Sequence, residues 1–303
     1  MGTNHVRILG SHPRCVVTQV IDTDLPAARE LAGTCGAEGR STIRSPAGVD
    51  AAIIASSTGS HFDLAREFLA SGIPTLVEKP VTTSIEQTRQ LIDISQAKGC
   101  PLMCGFVERF NPVVATSKEL IEADIFHIRT QRQSPPPGRY SSNAIWDLLI
   151  HDLDLVLGYF QSSNYESLSA LGYRDQETSS VESAEAAFEV TGAIASTMCS
   201  RLWQRKVRTI QIATNAEVLE LDLVQQTLTI YRNLAQEQFV AGTMTYRSAT
   251  TIDVPYVRHG GEPLALQLQH FIDLVTGKAD PVLERQSIIA PHALAGAIDA
   301  LCG

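Results

Sequence analysis

The first third of the chain alternates short β-branched runs with helical patterns, and this alternation limits the fold more than any other feature. Residues 51–55 are almost entirely apolar, as expected of a strand that is buried on both faces of a parallel sheet. Shorter runs of the same kind occupy residues 75–77 and 102–107, with helical patterns between them. This order predicts a doubly wound α/β domain over residues 1–107.

The pattern changes after residue 107. Residues 144–160 form a strongly apolar helical pattern, and residues 167–257 contain several strand patterns in close succession, separated by polar turns. Amphipathic helical patterns follow at residues 264–276 and 287–301. We therefore expect a second α/β domain over residues 108–303, with an open, mainly antiparallel sheet.

Composition excludes some classes of partner. The 303 residues include 24 Lys and Arg against 33 Asp and Glu, a net charge of −9, which argues against nucleic acid or an anionic membrane as the main partner. Strictly apolar runs are far shorter than the ~20 residues that span a bilayer. The six cysteines are scattered without the spacing of a zinc site, so we expect reduced thiols, no metal and a cytoplasmic protein.

Asp22 follows a strand pattern at residues 15–21. An acid at this point can hold the adenosine ribose hydroxyls of a dinucleotide and repel the 2′-phosphate of NADP. An Asp at a strand end can equally cap the next helix. The position alone leaves both interpretations open.

Glu78-Lys79-Pro80 follows the buried run at residues 75–77. Doubly wound sheets bind ligands at the carboxyl ends of their strands. A partly buried lysine there can act as an acid or base near neutral pH. A surface ion pair at a turn is the alternative, and the tripeptide alone does not separate the two.

Asp147, His151 and Asp154 are spaced i, i+4 and i+7 and form a polar stripe on an otherwise apolar helix. His151 fits a proton-transfer group that a carboxylate orients. It fits less well as a metal ligand, because no second histidine is near it in sequence. A core histidine with satisfied hydrogen bonds is the remaining alternative.

Together these motifs resemble the glucose-fructose oxidoreductase, inositol dehydrogenase and rhizopine catabolism (Gfo/Idh/MocA) family. The matching segments are Thr58 to His61, Glu78-Lys79-Pro80, Gly105-Phe-Val-Glu-Arg109-Phe-Asn-Pro112 and Asp147-x-x-x-His151-x-x-Asp154. The resemblance covers nearly the whole chain. It implies a Rossmann domain, a C-terminal α/β domain with an open sheet, and a homo-oligomer, either dimer or tetramer. The implied activity is hydride transfer between NAD(P) and a hydroxyl-bearing carbon of a small-molecule sugar, sugar nucleotide or cyclitol.

The resemblance also implies roles for individual residues. Lys79, Asp147 and His151 match the family's catalytic residues, and they are expected to contact the substrate together with Arg205 and Lys206. NAD is the expected cofactor, with NADP the weaker candidate. The residues expected to contact it are Gly2, Asn4, His5, Asp22, Ser56, Ser57, Thr58, His61, Glu78, Lys79 and Arg109.

The segment at residues 108–112 looks like the family branch of UDP-N-acetylglucosamine 3-dehydrogenases. That branch commonly has a histidine before the Val-Glu-Arg run, where this chain has Phe106. Four basic residues beside Trp203 could neutralise a diphosphate or form one exposed strand face; they are Arg201, Arg205, Lys206 and Arg208. A free sugar or inositol therefore stays an alternative substrate.

The amino terminus departs from the family pattern. Rossmann domains begin with a strand and a G-x-G-x-x-G turn that binds pyrophosphate. This sequence matches only the end of that turn, with Gly2 as the third glycine and Asp22 placed 20 residues beyond it. The missing strand is normally central, so its neighbours would lack a hydrogen-bonding partner.

Two interpretations of this departure compete. Either an upstream segment is absent from the sequence, or the chain is a degenerate homologue that no longer binds dinucleotide and acts as a sensor or regulator. We favour the first, because the other motifs are all retained. For the sequence as it stands, we expect weak or absent NADH binding.

Overall fold

A computed structural model describes residues 1–43, 45, 46, 48–136, 142–240, 243–257 and 261–303. These residues form two compact units, one of Met1–Phe110 with Gly261–Gly296 and one of Asn111–Gly260 with Ala297–Gly303. The sequence predicts a single boundary after residue 107. The structure has a boundary close to it, but a C-terminal segment returns to the first unit, and local sequence patterns do not report such long-range packing.

The first unit follows the predicted α/β alternation. Its elements up to residue 110 are α1 (Gly2–Leu9), β1 (Gln19–Ile21), α2 (Leu25–Gly33), β2 (Glu38–Arg40), β3 (Ala52–Ile54), α3 (Thr58–Ala70), β4 (Thr75–Val77), α4 (Ile85–Lys98), β5 (Leu102–Cys104) and a 3₁₀ turn (Val107–Phe110). Helix boundaries follow local capping chemistry. At the start of α4 the Ser84 hydroxyl accepts the Gln87 amide, and Gly99, with a φ of 65°, ends the helix.

The parallel strands of this unit form two separate sheets. β1 pairs with β2, while β3, β4 and β5 form a three-stranded sheet in that order. In the doubly wound order 3-2-1-4-5-6, the first strand lies between the second and the fourth. β1 and β3 correspond to the second and fourth strands, so the two sheets separate at the position that the first strand takes in that order. Ile21 of β1 is 38% exposed, whereas all of β4 and β5 is buried.

The second unit contains an eight-stranded sheet that is open and mainly antiparallel, as predicted. Its elements are α5 (Pro112–Leu120), β6 (Ile125–Gln133), a π-helical turn (Ile145–Leu149), α6 (Ile150–Phe160), β7 (Glu166–Arg174), β8 (Val181–Val190), β9 (Ala193–Ser200), β10 (Val207–Thr214), β11 (Val218–Asp222), β12 (Thr227–Val240) and β13 (Thr243–Asp253). The strand order is β13-β12-β11-β10-β6-β9-β8-β7, and β6 pairs with β9 in parallel. Arg132 of β6 donates two hydrogen bonds to Asp152 of α6, at 2.7 and 2.9 Å, and this buried ion pair fixes the helix on the sheet.

Two helices follow the sheet, α7 (Pro263–Val275) and α8 (Pro281–Leu301). In the first unit, Leu264, Leu268 and Phe271 of α7 pack with Leu76 of β4 and Met103 of β5. The apolar side of α7 therefore covers one face of the three-stranded sheet. Across the part of the chain that the structure describes, no helix combines the length and the hydropathy of a membrane span.

Candidate active site

The Glu78-Lys79-Pro80 motif lies at the carboxyl end of β4. The pairing of β4 with β3 continues one residue beyond the strand, because the Glu78 amide donates to the Ile54 carbonyl at 2.9 Å. Lys79 is partly exposed, and the Lys79–Pro80 peptide is cis. The buried strand therefore delivers Lys79 to the sheet edge at which doubly wound folds bind their ligands.

The Glu78 carboxylate is buried and contacts His5 of α1, another of the predicted cofactor residues. His5 Nε2 lies 2.7 Å from Glu78 Oε1, and it donates because a carboxylate oxygen accepts. Gly105 follows β5 and leaves room for the other oxygen, since a Cβ atom there would lie 2.8 Å from Glu78 Oε2. The structure thus joins two predicted site residues in one buried hydrogen bond.

His61 of α3 connects the loops that follow β3 and β4. Its Nδ1 lies 2.8 Å from the Pro80 carbonyl oxygen, and its Nε2 lies 3.2 Å from the Ser56 carbonyl oxygen. The side chain is 1% exposed. In this structure His61 contacts both the loop that carries Ser56 and the loop that carries Lys79.

Two helix starts carry other predicted cofactor residues. α1 begins at Gly2, where a Cβ atom would meet nothing within 4 Å, and Asn4 is exposed in its first turn. α3 begins at Thr58, after the exposed Ser56 and Ser57, and the Ser57 side chain does not cap it. Backbone N–H groups at an open helix start attract anions.

Asp22 does not cap the next helix, which is one of the two roles that the sequence leaves open. Its Oδ1 accepts the Asp24 amide at 3.0 Å, which supports the turn after β1. The cap of α2 is Asp24, whose Oδ1 accepts the Ala27 amide at 3.1 Å. Asp22 itself remains exposed at the strand end, and its contact with a ribose stays a prediction.

Arg109 lies in the 3₁₀ turn that follows β5, and its described contacts are with α8. The guanidinium donates to Ser287 Oγ at 2.8 Å and to Glu284 Oε1 at 3.2 Å, and it lies 4.8 Å from the centre of the Phe106 ring. These contacts attach the turn to the helix. A cofactor contact of Arg109 stays a prediction.

Asp147 and His151 belong to the second unit, on the helix that the π turn and α6 form. The Asp147 side chain is 34% exposed within the π turn, while His151 and Asp154 of α6 are 8% and 5% exposed. The sequence predicts a regular helix here, since an i, i+4 pattern does not report a local π turn. Such widened turns are frequent at functional sites.

The start of this helix is held by the end of α8. Asn143 Oδ1 accepts the amides of Ile145 and Trp146 at 3.1 and 3.2 Å. Asp299 of α8 accepts from Asn143 Nδ2 at 2.7 Å and from Trp146 Nε1 at 2.9 Å. The residues just before Asp147 are therefore fixed by side chains from two elements.

The four basic residues near β9 do not form one exposed strand face. Arg201 is 1% exposed and donates to both oxygens of Glu182 on β8, at 2.9 and 3.0 Å. Its guanidinium also lies 3.9 Å from Asp147 Oδ2. Arg205 and Lys206 are exposed in the turn before β10. The strand-face interpretation is therefore wrong for Arg201, because a neighbouring strand supplies its counter-charge.

Sequence reasoning missed His292 of α8. Its Nε2 accepts the Val81 amide at 2.9 Å, two residues after Lys79, and burial lowers the pKa of His292 to about 4. A single histidine in an apolar helix carries no sequence signal that separates it from other core residues. Within the described residues, no group of three or more His, Cys, Asp and Glu side chains could hold a metal ion.

The comparison with protein families finds a match in the first 106 residues. Residues 1–106 match the Gfo/Idh/MocA sequence profile, described as an oxidoreductase family with an NAD-binding Rossmann fold. The mixed, mainly antiparallel sheet of the second unit agrees with solved structures of this family. Over residues 1–106, about the first third of the chain, the sequence therefore matches the Gfo/Idh/MocA family.

Two curated relatives are the myo-inositol dehydrogenase Hyg17 of Streptomyces leeuwenhoekii and the UDP-N-acetylglucosamine 3-dehydrogenase of Acidithiobacillus ferrooxidans. The first is 29% identical over 52% of this chain and 50% of its own length, and the second is 28% identical over 60% and 58%. The chain thus spans about half the length of the curated relatives it matches.

Solved structures share the fold over nearly the whole chain. GnnA, the UDP-N-acetylglucosamine 3-dehydrogenase of A. ferrooxidans, has a TM-score of 0.82 at 22% identity and covers 99% of this chain and 93% of its own. A levoglucosan dehydrogenase in complex with NADH and levoglucosan has a TM-score of 0.81 at 17% identity, covering 100% and 95%.

Proposed function

We propose that this protein is an NAD-dependent oxidoreductase that transfers a hydride between nicotinamide and a hydroxyl-bearing carbon of a sugar, sugar nucleotide or cyclitol. The observation that carries the proposal is the position of Lys79 at the carboxyl end of buried strand β4, in a Rossmann unit of this family. Asp147 and His151 of the second unit provide further groups for acid–base chemistry.

The residues of the first unit fit a dinucleotide at three points. The open space at Gly2 suits the approach of a pyrophosphate to the start of α1. The exposed Asp22 carboxylate suits the adenosine ribose and would repel the 2′-phosphate of NADP. The open start of α3 at Thr58 offers further N–H groups. When bound, the cofactor would take up or deliver the hydride.

The chain's own residues would position the substrate and move one proton. Lys79 or His151 would accept the proton of the reacting hydroxyl during oxidation and return it during reduction. Asp147 would orient His151 or bind a neighbouring hydroxyl, and the Arg201 guanidinium lies 3.9 Å from its carboxylate. Substrate positioning is the protein's other large contribution to such a reaction.

The relatives and two exposed basic residues support the proposed substrate class. The printed names of relatives include inositol and UDP-N-acetylglucosamine, which supports both a cyclitol and a sugar nucleotide. Arg205 and Lys206 are exposed beside β10, and this supports the sugar nucleotide because they could bind a diphosphate. Phe106 is 1% exposed and has no polar atom to replace the histidine of that branch.

A non-catalytic sensor or regulatory protein of the same fold is the second candidate. The observation that favours it is the division between β1–β2 and β3–β4–β5, because the pyrophosphate turn of a Rossmann unit follows the strand that would lie between them. Such a protein would retain the substrate-binding residues and bind the ligand without turnover.

We also propose that the protein forms homo-oligomers through its eight-stranded sheet. Leu171 and Tyr173 of β7 and Ile194 of β9 are 81%, 57% and 59% exposed. Large apolar side chains exposed on an open sheet support coverage by another subunit.

The Lys79→Ala substitution tests the proposed activity. At NAD concentrations in the millimolar range, with inositols and UDP-N-acetylglucosamine as substrates, we expect kcat to fall by about 100-fold or more, because the reacting hydroxyl loses one of its two proposed proton acceptors. The dissociation constant of NADH should change little. The matched control is Lys98→Ala, which removes an exposed lysine at the end of α4. Equal turnover by wild type and Lys79→Ala would contradict the assignment.

A further inference from the structure

The peptide group that joins Pro80 to Val81 is held at both ends by buried histidines. His61 Nδ1 lies 2.8 Å from the Pro80 carbonyl oxygen, and the Val81 N–H donates to His292 Nε2 at 2.9 Å. The two histidines are 1% exposed each. One imidazole donates to the peptide oxygen and the other accepts from the peptide nitrogen, so together they fix the plane of a single peptide.

The tautomer of His292 follows from its second contact. His292 Nδ1 lies 2.7 Å from the Ile288 carbonyl oxygen, which can only accept, so Nδ1 carries the proton. Nε2 is then unprotonated and available to the Val81 N–H. The ring also lies against Phe106, with centroids 5.8 Å apart. A neutral ring in this one tautomer satisfies both contacts.

The surroundings of His292 favour this neutral state. The side chain is fully buried, and desolvation is the main cause that lowers its pKa to about 4, with a smaller effect from the positive charge of Arg109. A protonated ring would direct an N–H at the Val81 N–H, which would break the hydrogen bond. The hydrogen-bond geometry and the buried surroundings of His292 therefore both favour the neutral ring.

We infer that His292 is a positioning residue that holds the Pro80–Val81 peptide through its unprotonated Nε2 and thereby fixes the backbone that carries Lys79. The inference rests on the proposed function of Lys79 as a group that moves the substrate proton. Small displacements of such a group lower the rate more than they lower affinity, because the reacting atoms must be aligned for transfer.

The hydrogen bond itself can be tested without turnover, by nitrogen-15 NMR of the histidine side chains in the full chain. At neutral pH we expect Nδ1 of His292 to be protonated and Nε2 to be unprotonated, with slow hydrogen exchange at the Val81 amide. The opposite tautomer, or a doubly protonated ring at neutral pH, would overturn the inference.

Two substitutions test the positioning role. His292→Phe keeps a ring but removes the acceptor, and we expect kcat to fall about tenfold or more while KM and the NADH dissociation constant change less than about twofold. His292→Gln keeps an acceptor and should restore much of kcat. The matched control is His270→Phe, which removes a half-exposed histidine of α7 that contacts Phe110 and Glu284.

The possible outcomes separate this inference from the proposed function. Turnover by the wild type with no loss in His292→Phe would overturn the positioning role alone. No turnover by the wild type at any cofactor concentration would reject the proposed function, while the NMR result would still report on the hydrogen bond. If His292→Phe does not fold, the turnover of His292→Gln and the tautomer of His292 measured by NMR take its place. A protonated Nε2 would then overturn the inference.

Discussion

The position of the Glu78 side chain depends on two single residues, His5 and Gly105. Its buried carboxylate has His5 Nε2 at 2.7 Å from one oxygen, while the other oxygen lies in the space left by the missing side chain of Gly105. A buried carboxylate is costly unless hydrogen bonds compensate for its lost hydration. The position of Glu78 therefore requires both a donor at residue 5 and a glycine at residue 105.

The Gly105→Ala substitution should displace Glu78. The new Cβ would lie 2.8 Å from Glu78 Oε2 and 3.1 Å from Glu78 Cα. The first distance is shorter than a van der Waals contact, and the second involves backbone that has little room to adjust. We expect a loss of about 1–3 kcal/mol in the free energy of unfolding, measured by urea denaturation. The control is Gly33→Ala at the end of α2, where a Cβ meets nothing within 4 Å and stability should stay equal or rise. Equal stability of the Gly105→Ala protein and the wild type would show that the space beside Glu78 is not limiting.

Some single residues could be predicted from the sequence and others could not. Lys79, Asp147 and His151 stand in short motifs whose spacing is visible locally. Their supporting partners come from distant positions: His292 is separated from Val81 by 211 residues. One sequence contains no record of such pairings, so His292 could be found only in the structure.

The helix that carries Asp147 begins with a π turn whose geometry depends on its cap. Asn143 accepts two amides of the turn and donates to Asp299, so the cap links the turn to α8. Local caps of this kind contribute about 1 kcal/mol to stability. Here the cap also sets where the turn containing Asp147 begins.

The Asn143→Ala substitution should therefore affect both stability and turnover. We expect a loss of about 1–2 kcal/mol in the free energy of unfolding, together with a fall in kcat, because Asp147 lies in the first turn after the cap. Ser84→Ala is the matched control, since it removes the cap of α4 in the other unit. That control should lower stability by a similar amount and leave kcat unchanged. A fall in kcat that is equal in both variants would show that the Asn143 cap has no specific link to the site.

Whole elements were more predictable than their details. Helical periodicity and caps predict α4 correctly, and the apolar runs predict the order of β3, β4 and β5. The strands are shorter than their patterns. Residues 15–18 stay outside β1, although the Thr18 carbonyl accepts the Glu38 amide of β2 at 3.0 Å. The π turn and the helix α1 depend on tertiary contacts, which periodicity does not report.

At the scale of the molecule, the division of the parallel strands and the retention of the site motifs both bear on whether this chain binds a dinucleotide. The sequence predicts both the doubly wound arrangement and the position of its gap, because strand order in such folds is fixed. It could not predict that residues 261–296 return to the first unit, where α7 covers the three-stranded sheet. The first unit retains Asp22, the open start of α3 and Glu78, but it has only Gly2 at the pyrophosphate position.

Titration with reduced dinucleotides, followed by their fluorescence, tests the central claim that this chain is a dinucleotide-dependent oxidoreductase. The sequence leaves weak and absent NADH binding open, and the proposed activity requires the weak but saturable case. NADPH should bind more weakly still, because the Asp22 carboxylate repels a 2′-phosphate. Asp22→Ala should reduce the preference for NADH, and Asp63→Ala on the exposed surface of α3 is its control. The absence of saturable binding of either dinucleotide, in a chain that is folded by circular dichroism, would contradict the claim and favour the non-catalytic alternative.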